Sequence, residues 1–142
     1  MTRSEELRVT DDGRIYSSGR RSYPNGDSYS GEFLDGLREG QGILTYANGS
    51  TYNGQFKANQ AHGLGCMKYG PIIENGKEIR GRMYEGGWER GQRKGEGVLH
   101  TGAGQTYEGH FDADLYHGPG TLRGPGKDVL DGQWKWGRLN GK

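Results

Sequence analysis

Apolar positions in this chain fall two apart, in short runs that recur every 23 residues. Tyr29, Gly31 and Phe33 make one run, and Gly40, Gly42, Leu44 and Tyr46 make the next. Residues two apart share one face of a strand. Between the runs, residues 34–39 (LDGLRE) predict a short turn around Gly36. Each unit therefore reads as a β-hairpin, a Tyr-Gly-Phe strand followed by a Gly-Gly-Leu-Tyr strand. The first run returns as Tyr52-x-Gly54-x-Phe56, Tyr84-x-Gly86-x-Trp88 and Tyr107-x-Gly109-x-Phe111, with a weaker copy at Leu130-x-Gly132-x-Trp134. Asn25-Gly26 and Asn48-Gly49 join one hairpin to the next, and such dipeptides suit the two positive-φ positions of a type I′ turn. The predicted fold is all-β: an elongated, twisted antiparallel meander of stacked hairpins. The strand glycines leave room for an aromatic ring from the same or the next hairpin.

Subtracting 23 from Gly36, Gly42, Tyr46 and Gly49 gives Gly13, Gly19, Tyr23 and Gly26, whereas Tyr29 and Phe33 map onto Glu6 and Thr10. Residues 6–28 thus read as a degenerate first repeat, overlapping an N-terminal extension over 1–12, since terminal repeats of an array are atypical. Full units occupy 29–51, 52–83, 84–106 and 107–129, and 130–142 supplies a half repeat. Tyr52 to Tyr84 spans 32 residues, so the second unit carries nine extra, within residues 70–83 (GPIIENGKEIRGRM). With a two-residue loop at Asn75-Gly76, Glu74 faces Lys77, Ile73 faces Glu78 and Ile72 faces Ile79. The expected result is a prolonged hairpin, with Pro71 near its base, projecting past the sheet edge. The strand at 130–134 is expected to lack a following strand. Its open edge would pair with another molecule, including a second copy of the chain.

The phrase Tyr-x-Gly-x-Phe/Trp-x-x-Gly-x-x-His-Gly-x-Gly resembles the MORN (membrane occupation and recognition nexus) repeat, over roughly residues 13–142. Tyr29, Gly31, Phe33, Gly36, Gly40 and Gly42 match it, as do Tyr52, Gly54, Phe56, His62, Gly63 and Gly65. Tyr84, Gly86, Trp88, Gly91, Gly95 and Gly97 follow, then Tyr107, Gly109, Phe111, His117, Gly118 and Gly120. Asn59 and Asp114 replace the first turn glycine, and both residue types tolerate positive φ; Leu130 replaces the last Tyr. At ~4.8 Å per strand the resemblance implies a rod of about 45–50 Å. Arrays of this kind occur in cytoskeletal and flagellar proteins such as radial-spoke heads, in junctophilins, and beside catalytic domains of lipid kinases and methyltransferases. The resemblance thus implies a non-catalytic scaffold without a cofactor, placed in a cytoskeletal assembly such as a ciliary or flagellar axoneme. Family membership specifies the fold better than the partner.

Composition adjusts this reading. Only 30% of the 142 residues are hydrophobic and 29 are Gly, too polar for a core unless the apolar groups gather in one shared strip. A net charge of +1 gives no bulk field for nucleic acid. Cys66 is the only cysteine, so no intrachain disulfide forms, which fits a reducing compartment. No apolar run approaches the ~20 residues that span a bilayer. The opening MTRSEELRVTDDGR has neither the apolar stretch of a signal peptide nor Gly at position 2 for myristoylation. The expectation is an intracellular protein, soluble or peripheral to a larger structure.

Candidate chemistry is sparse. His62 and His117 precede glycines in equivalent turns, two units apart, and read as turn residues rather than a metal pair. His100 and His110 fall opposite the aromatic strip. Cys66 also faces away from it, with no base nearby in sequence. Residues 124–128 (GPGKD) lack phosphate-loop spacing. Glu32, Glu85, Glu89 and Glu108 read as a solvated outer face. The basic turn Arg90, Arg93 and Lys94, with Arg20, Arg21, Arg80 and Arg82 elsewhere, has three readings: a solvated loop, a contact to an acidic protein, or an anionic-lipid contact contributing roughly 1 kcal/mol per charge. Tyr29, Phe33, Tyr46, Tyr52, Phe56, Tyr69, Tyr84, Trp88, Tyr107, Phe111 and Trp134 form the core strip. A single-layer sheet is expected to leave part of that strip open as a groove for a partner. Ile72, Ile73 and Ile79 of the insert form a second docking candidate. The function expected is a protein-interaction scaffold; the alternative is a peripheral membrane tether recognising anionic phosphoinositides.

Overall fold

The computed structural model describes residues 6–141. They form fourteen strands and no helix: β1 (Glu6–Val9), β2 (Ile15–Ser22), β3 (Ser28–Leu34), β4 (Leu37–Thr45), β5 (Thr51–Lys57), β6 (Gln60–Lys68), β7 (Ile72–Glu74), β8 (Lys77–Ile79), β9 (Met83–Glu89), β10 (Gln92–His100), β11 (Thr106–Asp112), β12 (Leu115–Arg123), β13 (Val129–Lys135) and β14 (Arg138–Gly141). Twelve strands make one antiparallel sheet in chain order, with β6 paired directly to β9. The insert strands β7 and β8 form a separate two-stranded sheet. Their register is the expected one, with Ile72 opposite Ile79, Ile73 opposite Glu78 and Glu74 opposite Lys77.

The turns differ from expectation in an instructive way. Both central residues have positive φ at Asp35-Gly36, Ala58-Asn59, Arg90-Gly91, Ala113-Asp114 and Trp136-Gly137. These are type I′ loops inside the hairpins, and Asn75-Gly76 of the insert is a further one, as expected. The Asn-Gly pairs between hairpins are not type I′, since Gly26 and Gly49 have positive φ but Asn25 and Asn48 do not. At Gly49 the amide donates to Tyr46 O (3.0 Å) and Tyr46 N to Ser50 O (2.8 Å), which closes a three-residue loop with Gly in its last position. Asn48 Oδ1 accepts from Ser50 N at 2.9 Å. Pro24, whose ring holds φ negative, suits the same loop at 23–27.

Two further expectations are corrected. In the first repeat Leu7 lies opposite Ser17, which lies opposite Phe33. Leu7 and Val9, not Glu6 and Thr10, therefore occupy the aromatic face. Thr10 sits in a loop closed by Gly13 N to Thr10 O (2.9 Å), one residue longer than the I′ loops, and a one-residue slip exchanges the faces. At the other end the strand at 130–134 is not an edge. Trp136-Gly137 repeats the I′ loop, and β14 pairs with β13, setting Leu139 opposite Trp134.

The core is one continuous zigzag of rings. Tyr29 meets Phe33 at 4.9 Å and Phe56 at 5.2 Å, and Tyr52 meets Phe56 at 5.0 Å and Trp88 at 5.3 Å. Tyr84 joins Trp88 and Phe111, and Tyr107 joins Phe111 and Trp134, all edge to face. Each tyrosine hydroxyl donates to the carbonyl three residues on, those of Glu32, Gln55, Gly87 and His110, at 2.8–3.0 Å. The rings lie across cross-strand glycine pairs such as Gly31 and Gly42, where an added Cβ would overlap Tyr29 Oη. Trp88 and Trp134 add a donor each, their Nε1 reaching Gly65 O (3.1 Å) and Gly120 O (2.9 Å) across the strand.

Candidate partner-binding surface

Nine of the eleven strip aromatics are 6% exposed or less: Tyr29, Phe33, Tyr52, Phe56, Tyr84, Trp88, Tyr107, Phe111 and Trp134. The strip is core, and the expected open groove shrinks to the half-buried Tyr46 and Tyr69. One reason is ring geometry, since edge-to-face stacking tiles the face. The other is a roof of longer side chains. Arg38 on β4 lies over the rings of Tyr23, Tyr29 and Phe56 at 5.4, 5.8 and 5.6 Å. Arg93 on β10 holds the equivalent place over Tyr84 (5.7 Å) and Phe111 (5.5 Å). Such cation–ring contacts attract through the ring quadrupole.

Each roofing arginine is clamped by the next hairpin. Arg38 N donates to Asn59 Oδ1 (3.1 Å) and its Nη2 to Asn59 O (2.8 Å). Arg93 repeats both bonds with Asp114, at 2.8 and 2.7 Å, and its Nη1 reaches the Tyr69 hydroxyl at 3.4 Å. The two departures from the turn glycine therefore serve as acceptors that glycine lacks. The alternation Leu44, Gly42, Gly40, carried two residues back, would have placed Arg38 on this face. In the fourth full unit Tyr116 takes the roof position and stacks on Tyr107 at 3.8 Å and 8°. In the second unit the position is Ala61, which does not span the rings. On the same face is an opening lined by Tyr46, Asn48, Ser50, Met67 and Tyr69, and Tyr46 is the counterpart of the Tyr23 that Arg38 covers.

Two of the three basic residues of the turn are engaged. Arg93 is committed as above and Lys94 Nζ pairs with Asp112 at 2.9 Å, while Arg90, the first residue of an I′ loop, is exposed. Arg21 lies over Phe33 at 4.3 Å, Arg80 pairs with Glu78, and Arg82 lies over Tyr69 at 5.0 Å with Nη2 on Gly70 O (3.1 Å). In the insert Ile73 is exposed and Ile79 partly covered. The insert leans on the Gly102 loop, where a Cβ would strike Arg80 O and Ile79 Cγ2, instead of standing clear of the sheet.

The histidines lie apart. His117 stacks on Trp136 at 4.1 Å, His110 Nε2 meets Glu96 at 2.5 Å, and His100 Nδ1 meets Thr106 Oγ1 at 3.1 Å. Among the described residues no three His, Cys, Asp or Glu are placed to hold a metal ion. Cys66 lies on the outer face opposite Asn53 and Glu85. Burial and the Glu85 charge push its thiol up, away from the reactive thiolate. Glu32 is engaged with Gln41 N and the Tyr16 hydroxyl. Residues 124–128 close a loop through Gly124 N to Asp128 O (2.8 Å).

The chain is similar to human and mouse Alsin, with 27% identity to each over 86% of this chain, and it spans only 6% of their length. The MORN repeat matches residues 29–51, 52–71, 84–106, 107–129 and 131–142. The second match stops where the insert begins, and the others start with β3, β9, β11 and β13 to within a residue or two. Repeats of this type are non-catalytic and generally mediate contacts with proteins or lipids. Five matched segments across most of the chain, set on the same hairpins that build the sheet, mean that it belongs to the MORN repeat family.

Proposed function

We propose that this chain is a non-catalytic scaffold that holds other proteins of a larger assembly. The observation that carries this reading is where the perturbed groups lie. The tyrosines pushed furthest up are Tyr29, Tyr52, Tyr84 and Tyr107, raised by burial and bonded to backbone carbonyls. They belong to the core, whereas a catalytic site gathers such groups in a cleft beside a nucleophile or base. What remains accessible is a rigid sheet with polar surface, a short exposed hairpin and one opening among arginines. We propose a cytoskeletal location, in a cilium or flagellum, because arrays of this family occur there.

A tagged copy in source cells, extracted with detergent, tests the reading. Retention in the insoluble fraction with other proteins bound is the expected result; release together with membrane proteins would sink it. Ile72→Ser with Ile73→Ser, read by the same capture, decides whether the insert hairpin docks a partner. Unchanged capture would remove the hairpin from the account. The membrane-tether reading draws on the family's lipid contacts and the exposed Arg90, but Arg93 and Lys94 favour it less because both are paired within the chain.

A further inference from the structure

The opening beside Tyr46, which an arginine in place of Ala61 would cover as Arg38 covers Tyr23, has a distinctive border. Ala61 lies on β6, two strands from Arg38 on β4 and two from Arg93 on β10, about 10 Å to either side. Arg82 lies over Tyr69 at the rim. Among the described residues neither Arg38 nor Arg82 pairs with a carboxylate. The Nε of each is shielded from solvent and without a hydrogen-bond partner. A shielded donor on a cation left unpaired is costly. The carboxylates that act on Tyr46 and Tyr69 are committed, Asp27 to Ala47 N (2.8 Å) and Asp114 to Arg93 N (2.8 Å). The floor offers the rings of Tyr46 and Tyr69, the Met67 thioether and Ser50, whose hydroxyl already accepts from Gly70 N (2.8 Å).

We propose that the gap beside Tyr46, left uncovered by the short side chain of Ala61, receives an extended acidic segment of a partner protein, its backbone over Tyr46, Met67 and Tyr69 and its carboxylates on Arg38 and Arg82. The inference rests on the scaffold reading and names the chemistry of one partner. Charge complementarity selects carboxylates, since guanidinium and carboxylate pair most strongly when shielded from water. Recess selects a segment over a membrane, because the guanidiniums lie down among the rings where a flat lipid surface does not reach. About six extended residues cover the roughly 20 Å from Arg38 to Arg93.

The test uses the full chain and a fluorescein-labelled octaglutamate peptide, followed by anisotropy. Saturable binding that weakens as salt rises is expected. Arg82→Gln should lower affinity severalfold, and Arg20→Gln, on the outer face, should leave it unchanged. The deciding variant is Ala61→Arg, which copies the residue that two sister repeats carry there. It adds a positive charge yet closes the opening, so binding should fall at least tenfold, whereas nonspecific attraction would strengthen it. Ala61→Tyr copies Tyr116 and closes the opening without charge, so it gives the same answer should the arginine variant lose its circular-dichroism spectrum. No saturable binding by the unaltered chain, or undiminished binding by the closed variants, overturns the proposal. So does sedimentation with phosphatidylserine vesicles that the closed variants abolish, which would make the ligand a lipid headgroup. Failure here leaves the cell-extraction result untouched, and the two ideas fall separately.

Discussion

A single tyrosine does three jobs in this protein. Tyr52 is fully buried, bridges two neighbouring rings edge to face, and ends in a hydroxyl bonded to Gln55 O. It fits because the opposed strands carry glycine beneath it. An alanine at Gly65 would drive a methyl group into the Tyr52 ring and hydroxyl. Gly65→Ala is therefore expected to destabilise the fold by about 1–3 kcal/mol, the usual cost of overpacking, measured by urea unfolding. A matching change at exposed Gly36, where a Cβ meets no atom, would cost only its left-handed backbone, about 1–2 kcal/mol. The hydroxyls also set an alkaline limit. Burial raises Tyr29 and Tyr107 from 10.0 to about 12, and raises Tyr52 and Tyr84 as well. The neutral form is favoured in the fold, so this stability is complete below pH 10 and is lost as pH climbs from 10 through 12. Each tyrosine contributes a slope of about 1.4 kcal/mol per pH unit, and four acting together should give steep unfolding in that window. Tyrosinate absorbance rising gradually, with no cooperative loss of β-signal, would contradict it.

At the scale of elements, the hairpin is the unit and its loops decide how units join. The strands were legible because two-residue alternation is a direct image of strand pleating, and the insert register followed from Asn75-Gly76 in the same way. Asn25 and Asn48 misled because an Asn-Gly pair suits two loop types, and the choice depends on how many residues the flanking pairing leaves free. The first repeat misled for the same reason, since one extra loop residue exchanges the faces of β1. Arg38 escaped notice, and in sequence Arg93 reads as part of a solvated or partner-facing basic turn, because charge in a turn looks outward-facing, whereas here their stems cross the rings and their heads are held by the next loop. That clamp gives a prediction. Asp114 sits at φ 72, a conformation glycine adopts freely. Asp114→Gly should nonetheless cost about 1–3 kcal/mol by calorimetry, because Arg93 N loses its acceptor and the guanidinium loses its carboxylate partner, keeping only the backbone carbonyl of residue 114. Equal or higher stability would show the clamp to be incidental.

The whole molecule is a linear stack in which each repeat meets only its neighbours. Twelve strands at ~4.8 Å give a sheet about 53 Å long, so removing residues 29–51 should shorten it by about 10 Å without unfolding it. Small-angle scattering reads the length and circular dichroism the fold; a collapsed or unfolded product would show that the stack is more cooperative than its contacts suggest. The insert carries a wider lesson about such stacks. Residues 70–83 leave the sheet at Gly70, fold as their own hairpin, and return at Met83 with β6 and β9 paired as any two successive repeats are. The ring zigzag passes beneath without a break, from Tyr52 to Trp88. A between-repeat loop of this array is thus a socket: foreign sequence, a recognition peptide or a reporter can be grafted there, and the spine that supports it need not be redesigned.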